Sequence, residues 1–405
     1  MAIVRANVTA SVVKWARQYC HYSLEEAAAK IGRPREEISR WESGTLKPSI
    51  PQLRKASRVY RIPLATFYLP HPPKGFSPLR DYRRLPSDVP REYSPNLVFM
   101  VRQTWERQQW VKQYLQDQGY PRVQLPGSGP PRQDTAKLAQ GIRTSLQMDW
   151  SKLGKCAKRG DALRLWVESV ENLGVFVFRS GNAQHEKIDV EEARGFVLTD
   201  DYAPFIFLNA QDAKVAQVFT LAHELAHLCI GEPGVSNLAT RGSVPPGAAK
   251  IEVFCNAVAS EVVLPQEDFR SFWNAVDASE PLKERIERAS REFKVSKEVV
   301  ARRLLDLTYL SQAQYVDLVD LFRAEWKQYQ AKERQRLRED EQTPSPYRMR
   351  LVANGMQFSR LVLEAYQSGR VSGRDVSSLL GIRLDKIGRY ASYARMQVFG
   401  GRDSI

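Results

Sequence analysis

The chain has 405 residues, of which 43% are hydrophobic, so it is long enough for two or three domains that each have a core. Its 60 lysines and arginines outnumber its 46 aspartates and glutamates, and the formal net charge of +14 favours anionic partners such as nucleic acid. No run approaches the ~20 uninterrupted apolar residues of a membrane span, and the first residues lack the apolar region of a signal peptide. The 4 cysteines are scattered, as is typical of reduced thiols. Together, these features predict a soluble cytoplasmic protein without a membrane partner.

Residues 1–72 predict a compact all-α module. Ser23 and Glu26 have the spacing of a capping box, which marks the start of a helix. Gly32-Arg33-Pro34 predicts a tight turn after that helix. Further helices are predicted over residues 8–19, 35–43, 50–60 and 64–69. The order of helix, glycine turn and helix is that of a helix-turn-helix.

The module resembles the Xre-type helix-turn-helix domain through Ser23-Leu24-x-x-Ala27-Ala28 and Ile38-Ser39-Arg40-Trp41-Glu42-Ser43-Gly44, with Pro48 after them. The resemblance implies that the helix beginning near Pro34 enters the major groove of double-stranded DNA, whereas Ile38 and Trp41 belong to the core. It also implies that a homodimer could read paired half-sites. The side chains that suit contacts with phosphate or guanine are Arg33, Arg35, Ser39 and Arg40. Glu36 and Glu37 would repel the phosphate backbone, which leaves open that the module docks a protein or dimerises.

Residues 73–132 are interpreted as a helical connector and linker. They contain a basic segment at 79–86 and a helix predicted over residues 92–118, followed by a predicted flexible linker or loop at 121–132 that is rich in glycine and proline. In the helix, one face is lined by Leu97, Val101 and Trp105, and Trp110 pairs with Tyr114 one turn further on.

Three short β-branched and aromatic runs predict the strands of a small sheet at residues 174–178, 195–198 and 204–209. We expect this sheet to pack against the helix that follows it. An edge strand beside such a helix could pair with an extended peptide, and the sequence leaves open which strand is the edge.

His223-Glu224-Leu225-Ala226-His227 lies within an apolar helical run and is the most informative motif of the chain. Positions i and i+4 share a helix face, so both imidazoles can reach one cation. Glu224 can lie beside that cation, where its carboxylate would act as general base on a bound water. The chain has only 5 histidines, which favours a metal site over the alternative that these two are hydrogen-bonded core residues.

A third ligand is predicted on a second helical run, residues 249–264, which is closed by Pro265. Within its apolar stripe, Glu252 and Asn256 are polar and lie one turn apart, the geometry of a carboxylate ligand with an amide partner. Cys255 and Cys229 are competing donors, and a closed structural site of two histidines and two cysteines is the alternative.

Together, the first motif and Glu252-x-x-x-Asn256-x-x-Ala259 ending in Leu264-Pro265 resemble the ImmA/IrrE family of metallopeptidases. The resemblance implies one catalytic Zn²⁺ held by His223, His227 and Glu252, with Glu224 as general base. Cys255 and Val258 depart from the family, which usually has a small residue and an aromatic residue at these positions, and this affects packing rather than chemistry.

The predicted fold class is an α+β multidomain protein. An all-α helix-turn-helix module at 1–72 and the connector precede a mainly helical, zincin-like metallopeptidase domain with a small β-sheet at 133–310. A helical C-terminal extension follows at 311–405, with its densest basic run at 327–338 and a linker at 339–346. Helices at 266–277, 282–293 and 296–307 complete the peptidase domain.

Two functions agree with these patterns. In the first, the chain is a DNA-associated zinc endopeptidase that cleaves a repressor or an antitoxin in a stress, phage-related or toxin-antitoxin response. In the second, it is a transcriptional regulator or antitoxin that binds DNA and a cognate toxin, with a structural or vestigial metal site.

Overall fold

The structure is a computed structural model, and it describes residues 4–73, 93–129, 134–148, 150–179, 187–231, 234–236, 246–339 and 345–399. The basic segment at 79–86, the end of the predicted linker at 130–132, and residues 340–344 of the last predicted linker lie outside the described residues. The chain is mainly helical with one small sheet, which confirms the predicted fold class. Its fold divides into two compact units, Met1–Glu106 and Arg107–Ile405.

The first unit contains the helix-turn-helix. Its helices are α1 (Ala10–Tyr19), α2 (Leu24–Ile31), α3 (Arg35–Ser43), α4 (Ile50–Tyr60), a 3-10 helix (Leu64–Tyr68) and the first part of α5 (Pro95–Asp117). Ser23 and Glu26 form the predicted capping box at the start of α2, and Gly32 ends that helix in the left-handed conformation. Ile38 and Trp41 are buried in the core, as the sequence predicted.

The second unit contains the sheet and the remaining helices. These are α6 (Thr135–Leu146), α7 (Trp150–Lys155), α8 (Arg159–Asn172), α9 (Lys214–Ile230), α10 (Pro246–Val263), α11 (Gln266–Ala275), α12 (Leu282–Glu292), α13 (Lys297–Asp306), α14 (Gln312–Glu339), α15 (Pro346–Asn354), α16 (Met356–Gln367), α17 (Gly373–Leu380), a 3-10 helix (Leu384–Lys386) and α18 (Ile387–Phe399). Within the described ranges, no helix is both long and apolar enough to cross a membrane.

The sheet has four strands in the order β1-β3-β2-β4. They are β1 (Phe176–Arg179), β2 (Gly195–Leu198), β3 (Phe205–Leu208) and β4 (Gly234–Ser236). β1 runs parallel to β3, whereas β2 is antiparallel to both β3 and β4. The sequence predicted three of these strands and missed β4, because three residues are too few to show a strand pattern. The edges of the sheet are therefore β1 and β4.

Both faces of the sheet are buried, which explains why its strands are continuous apolar runs rather than alternating ones. One face, with Val197 and Ile206, belongs to the same core as α9. On β1 and β3, Phe178 and Phe205 contact Phe358 of α16, at ring-centroid distances of 5.2 Å and 6.4 Å. The C-terminal helices are thus packed on the sheet that carries α9.

Residues of the predicted flexible linker are fixed to the end of α9. The backbone N–H of Gly127 donates to the carbonyl of Leu228 at 3.0 Å, and that of Gly129 donates to the carbonyl of Cys229 at 2.8 Å. These bonds satisfy carbonyls that the last turn of a helix otherwise leaves without partners. This part of the loop therefore holds α9 in place.

Candidate metal centre and DNA-binding face

Helix α9 carries the histidine motif through the middle of the core. Nearly all of its residues are buried, and Gly231 ends it in the left-handed conformation. His223 and His227 lie one turn apart with ring centroids 4.7 Å from each other, and their Nε2 atoms are 3.0 Å apart. The predicted sharing of one helix face is therefore what the structure shows.

Glu252 of α10 completes a triangle of donor side chains with the two imidazoles, and each of its oxygens faces one ring. Its Oε2 atom lies 3.2 Å from His223 Nε2, and its Oε1 atom lies 3.2 Å from His227 Nε2. Ligands of a tetrahedral Zn²⁺ at ~2.0 Å from the ion are separated by about 3.3 Å, the edge of the tetrahedron. The triangle therefore has the size that a tetrahedral zinc ion requires on three of its four positions.

The charges at this triangle also suit a cation. Burial would raise the pKa of the Glu252 carboxyl, but hydrogen bonds from His223 and His227 lower that pKa to about 2. Burial lowers the pKa of His223, against its hydrogen bond with Glu252. Burial also opposes protonation of His227, yet hydrogen bonds with Cys255 and Glu252 raise its pKa well above the usual value. The ionised carboxylate of Glu252 thus favours a positive charge beside it, whether a proton on an imidazole or a cation.

The competing cysteines lie outside the triangle. Among the described residues, the donor atoms of His223, His227 and Glu252 form the group that lies within 4.8 Å of one another, and it includes no cysteine. Burial raises the pKa of the Cys255 thiol, and it raises the pKa of Cys229 to about 12. Burial therefore disfavours the thiolate, the form in which a cysteine binds a metal.

Asn256 lies one turn after Glu252 and close enough to His223 to raise the pKa of that imidazole. Its Oδ1 atom and the Nδ1 atoms of both histidines are buried, with no hydrogen bond to any described residue. In metal sites, the ring nitrogen of a histidine that does not face the ion normally donates a hydrogen bond to a neighbouring polar group.

Glu224, the predicted general base, is fully buried at the point where α9 meets β2. A Cβ atom built on Gly195 would lie 3.1 Å from Glu224 Oε1, 2.6 Å from Thr220 Cγ2 and 2.8 Å from the carbonyl oxygen of Phe207. Only a residue without a side chain fits here, so Gly195 lets the helix approach the strand. The sequence analysis placed Gly195 in a strand but gave it no role at the site.

Gly195→Ala should destabilise the protein by about 1–3 kcal/mol, because the added methyl group must displace backbone as well as the side chains of α9. Urea unfolding measures this change. Gly141→Ala is the matched control, since Gly141 lies in α6 with nothing within 4 Å of its position for a Cβ atom. That variant should be as stable as the native chain or up to roughly 1 kcal/mol more stable. Equal stability of the two variants would contradict the close packing at Gly195.

The predicted DNA-contacting residues belong to the turn before α3 and to α3 itself. Arg33, Arg35, Ser39 and Arg40 are all exposed. Arg35 pairs with Glu25 at 2.8 Å, and both side chains remain more than half exposed. Glu37, one of the two acids that opposed a DNA contact, accepts a hydrogen bond of 2.8 Å from Gln52 Nε2. The charge of Glu37 is therefore held towards α4.

Two histidines and a carboxylate on packed helices form a group that could hold a metal ion, and a buried glutamate lies beside it at the small sheet. Residues 171–305 match a peptidase family model described as IrrE N-terminal-like domain, and residues 13–67 match one described as Helix-turn-helix. A search of curated proteins found no match. The chain thus carries a DNA-binding type of helix-turn-helix followed by a metallopeptidase-family domain, which confirms both resemblances drawn from the sequence.

Proposed function

We propose that the chain is a DNA-associated, zinc-dependent endopeptidase that cleaves a regulatory protein, a repressor or an antitoxin, in a stress or phage-related response. The observation that carries the proposal is the triangle of three donor side chains, whose facing atoms are 3.0 to 3.2 Å apart, in the same buried region as Glu224. Cytoplasmic action fits a chain that joins this site to a helix-turn-helix.

His223, His227 and Glu252 would hold the ion. A bound divalent cation would supply Lewis acidity, which polarises a peptide carbonyl and acidifies water. Glu224 would take the proton from the attacking water and deliver it to the amine that leaves. Glu224 is fully buried in a largely apolar helix, which keeps bulk solvent away from its carboxylate.

Asn256 would orient His223 rather than touch the ion. We expect its Oδ1 atom to accept a hydrogen bond from Nδ1 of His223, because both atoms are buried and lack another partner among the described residues. Such a bond fixes the tautomer that presents Nε2 to a cation. Glu252 is the part of the triangle that solvent reaches, with 26% of its side chain exposed, so an ion and a peptide would enter from that side.

Removal of the metal should abolish cleavage. The full chain, treated with a chelator and then dialysed, is incubated with the protein encoded beside its gene. We expect no cleavage until zinc is returned, because the chain's own groups cannot polarise a peptide carbonyl as a cation does. Cleavage that continues in the chelated protein would overturn the proposal.

The helix-turn-helix should bind duplex DNA in a manner that depends on salt. Replacing Arg35 and Arg40 together by alanine should weaken binding of the full chain to DNA upstream of its gene by at least about tenfold. The slope of the logarithm of the affinity against that of the salt concentration should fall by about 0.9 for each phosphate that the variant no longer neutralises. Unchanged affinity and slope would reject the predicted role of α3 in DNA binding.

A further inference from the structure

The last three helices repeat the spacing of the helix-turn-helix. α17 has the same length as α2, 8 residues, and both begin with a serine capping box, formed by Ser372 and Asp375 in α17. Both end in a left-handed glycine, Gly32 with φ 66° and ψ 49°, and Gly381 with φ 63° and ψ 36°. The serine and the glycine are separated by the same number of residues in each case.

The turn that follows is also the same. Pro34 precedes α3 with φ −58° and ψ 146°, and Arg383 precedes the 3-10 helix of Leu384–Lys386 with φ −71° and ψ 146°. In both places the next helix starts three residues after the glycine, and the 3-10 helix leads directly into α18. Turn conformation and helix starts therefore match without an insertion.

Several buried positions agree between the two segments. With Ser372 aligned to Ser23, Ile387 takes the place of Ile38, and Tyr390 takes the place of Trp41, and all four side chains are buried. In the helix before the turn, Val362 and Ala365 of α16 take the places of Val13 and Ala16 of α1, and these are buried too. Matching core residues on the helices before and after the turn indicate a repeat of the fold, not only of a turn.

We propose that α16, α17 and α18, residues Met356–Phe399, form a second helix-turn-helix module that binds double-stranded DNA. The outer face of its last helix holds Leu384, Gly388 and Arg389 in the places of Arg35, Ser39 and Arg40, and all three are exposed. Among the described residues, nothing lies within 4 Å of the position for a Cβ atom on Gly388. A groove wall could therefore approach this face closely.

The charge of the module favours DNA. From residue 370 to 395 the chain has six basic side chains and two acidic ones. The basic ones are Arg370, Arg374, Arg383, Lys386, Arg389 and Arg395. The two acids are engaged locally, since Asp375 caps α17 and Asp385 pairs with Arg383 at 3.1 Å. Leu384, 59% exposed at the start of the helix, suits contact with a thymine methyl group.

The module is fixed through its other side. Phe358 packs on the sheet, and Asn354, which precedes α16, donates to the carbonyl of Leu380 at 2.9 Å and accepts from Arg107 at 3.2 Å. Glu171, whose pKa burial raises to about 8, accepts from the backbone N–H of Gln357. These contacts use α16 and the end of α17, and among the described residues the outer face of α18 stays exposed at Gly388 and Arg389.

The test compares full-length variants that all carry Arg35→Ala and Arg40→Ala, so that the first helix-turn-helix is weakened throughout. Adding Lys386→Ala and Arg389→Ala should reduce the affinity for duplex DNA by at least about tenfold, and the salt slope should fall by about 0.9 for each phosphate no longer neutralised. Adding Gly388→Glu should also weaken binding, because a carboxylate on this face would repel the phosphate backbone. The fold should tolerate the change, since the side chain has room there and glutamate favours a helix more than glycine does. The control adds Arg270→Ala and Arg291→Ala, exposed arginines of α11 and α12.

Weaker binding confined to the α18 variants, with the control unchanged, supports the second module. An equal decrease in the control, unchanged affinity in the α18 variants, or displacement of the duplex by a lower concentration of RNA would overturn it. The result does not depend on the peptidase. It also does not depend on the first module, because the α18 substitutions would still weaken DNA binding in a chain whose α3 does not bind DNA.

Discussion

Glu224→Gln should lower the rate of peptide cleavage by about 10²–10⁴ while the chain keeps its fold and its metal. The amide has the size of the carboxylate but cannot accept the proton of the attacking water. Glu224 lies outside the donor triangle, so the substitution leaves unchanged the three groups that would hold the ion. The substitution thus separates loss of a general base from loss of the cation.

The measurement has three parts. New protein N-termini are identified in cells that produce the native chain or the Glu224→Gln variant, and cleavage and zinc content are measured on the purified chains. Glu267→Gln is the matched control, because Glu267 lies on α11 in the same domain with an exposed side chain and should retain full activity. N-termini that appear with the native and control chains but not with Glu224→Gln identify substrates directly. Normal cleavage by Glu224→Gln would contradict the proposed peptidase. It would favour the alternative that the chain is a transcriptional regulator or an antitoxin.

The histidine pair could be predicted because its geometry is local. A helix fixes where residues four positions apart point, whatever else the chain does. Glu252 required more, since its place beside His223 depends on how α10 packs against α9, and only its polarity within an apolar stripe indicated it. Gly195 could not be found in this way, because the strand it lies in meets α9 through contacts distant in sequence.

The C-terminal repeat shows a different limit. Its signals were present in the sequence, in Ser372 and Asp375 followed by Gly381 at the separation already seen for Ser23 and Gly32. From the sequence, this part of the chain is interpreted only as a helical extension. The structure makes the comparison possible since buried positions, not exposed ones, define the repeat.

Glu37 illustrates how side-chain packing changes an electrostatic argument. On the sequence, its charge at the start of α3 opposed DNA binding. Because Gln52 holds this carboxylate in the structure, the acid has a local role in joining α3 to α4. The order of charges along a helix therefore did not determine which of them face outwards.

Removing any one corner of the donor triangle should release the metal. His223→Ala and Glu252→Ala should each weaken zinc binding by more than about 100-fold, since outer-shell substitutions alone cost 10–100-fold. Asn256→Ala should fall within that smaller range, because it removes only the proposed support of His223. Zinc content after dialysis and competition with a chromophoric chelator measure these differences.

Cys255→Ser decides between the two ligand sets that the sequence left open. If Glu252 is the third ligand, this variant should bind zinc as the native chain does, because Cys255 is not part of the triangle. If the site were a closed one of two histidines and two cysteines, the serine would cost as much affinity as removal of a ligand, and Glu252→Ala would cost little. The two variants thus give opposite results under the two coordination schemes, and only the first scheme leaves a position for water at the ion.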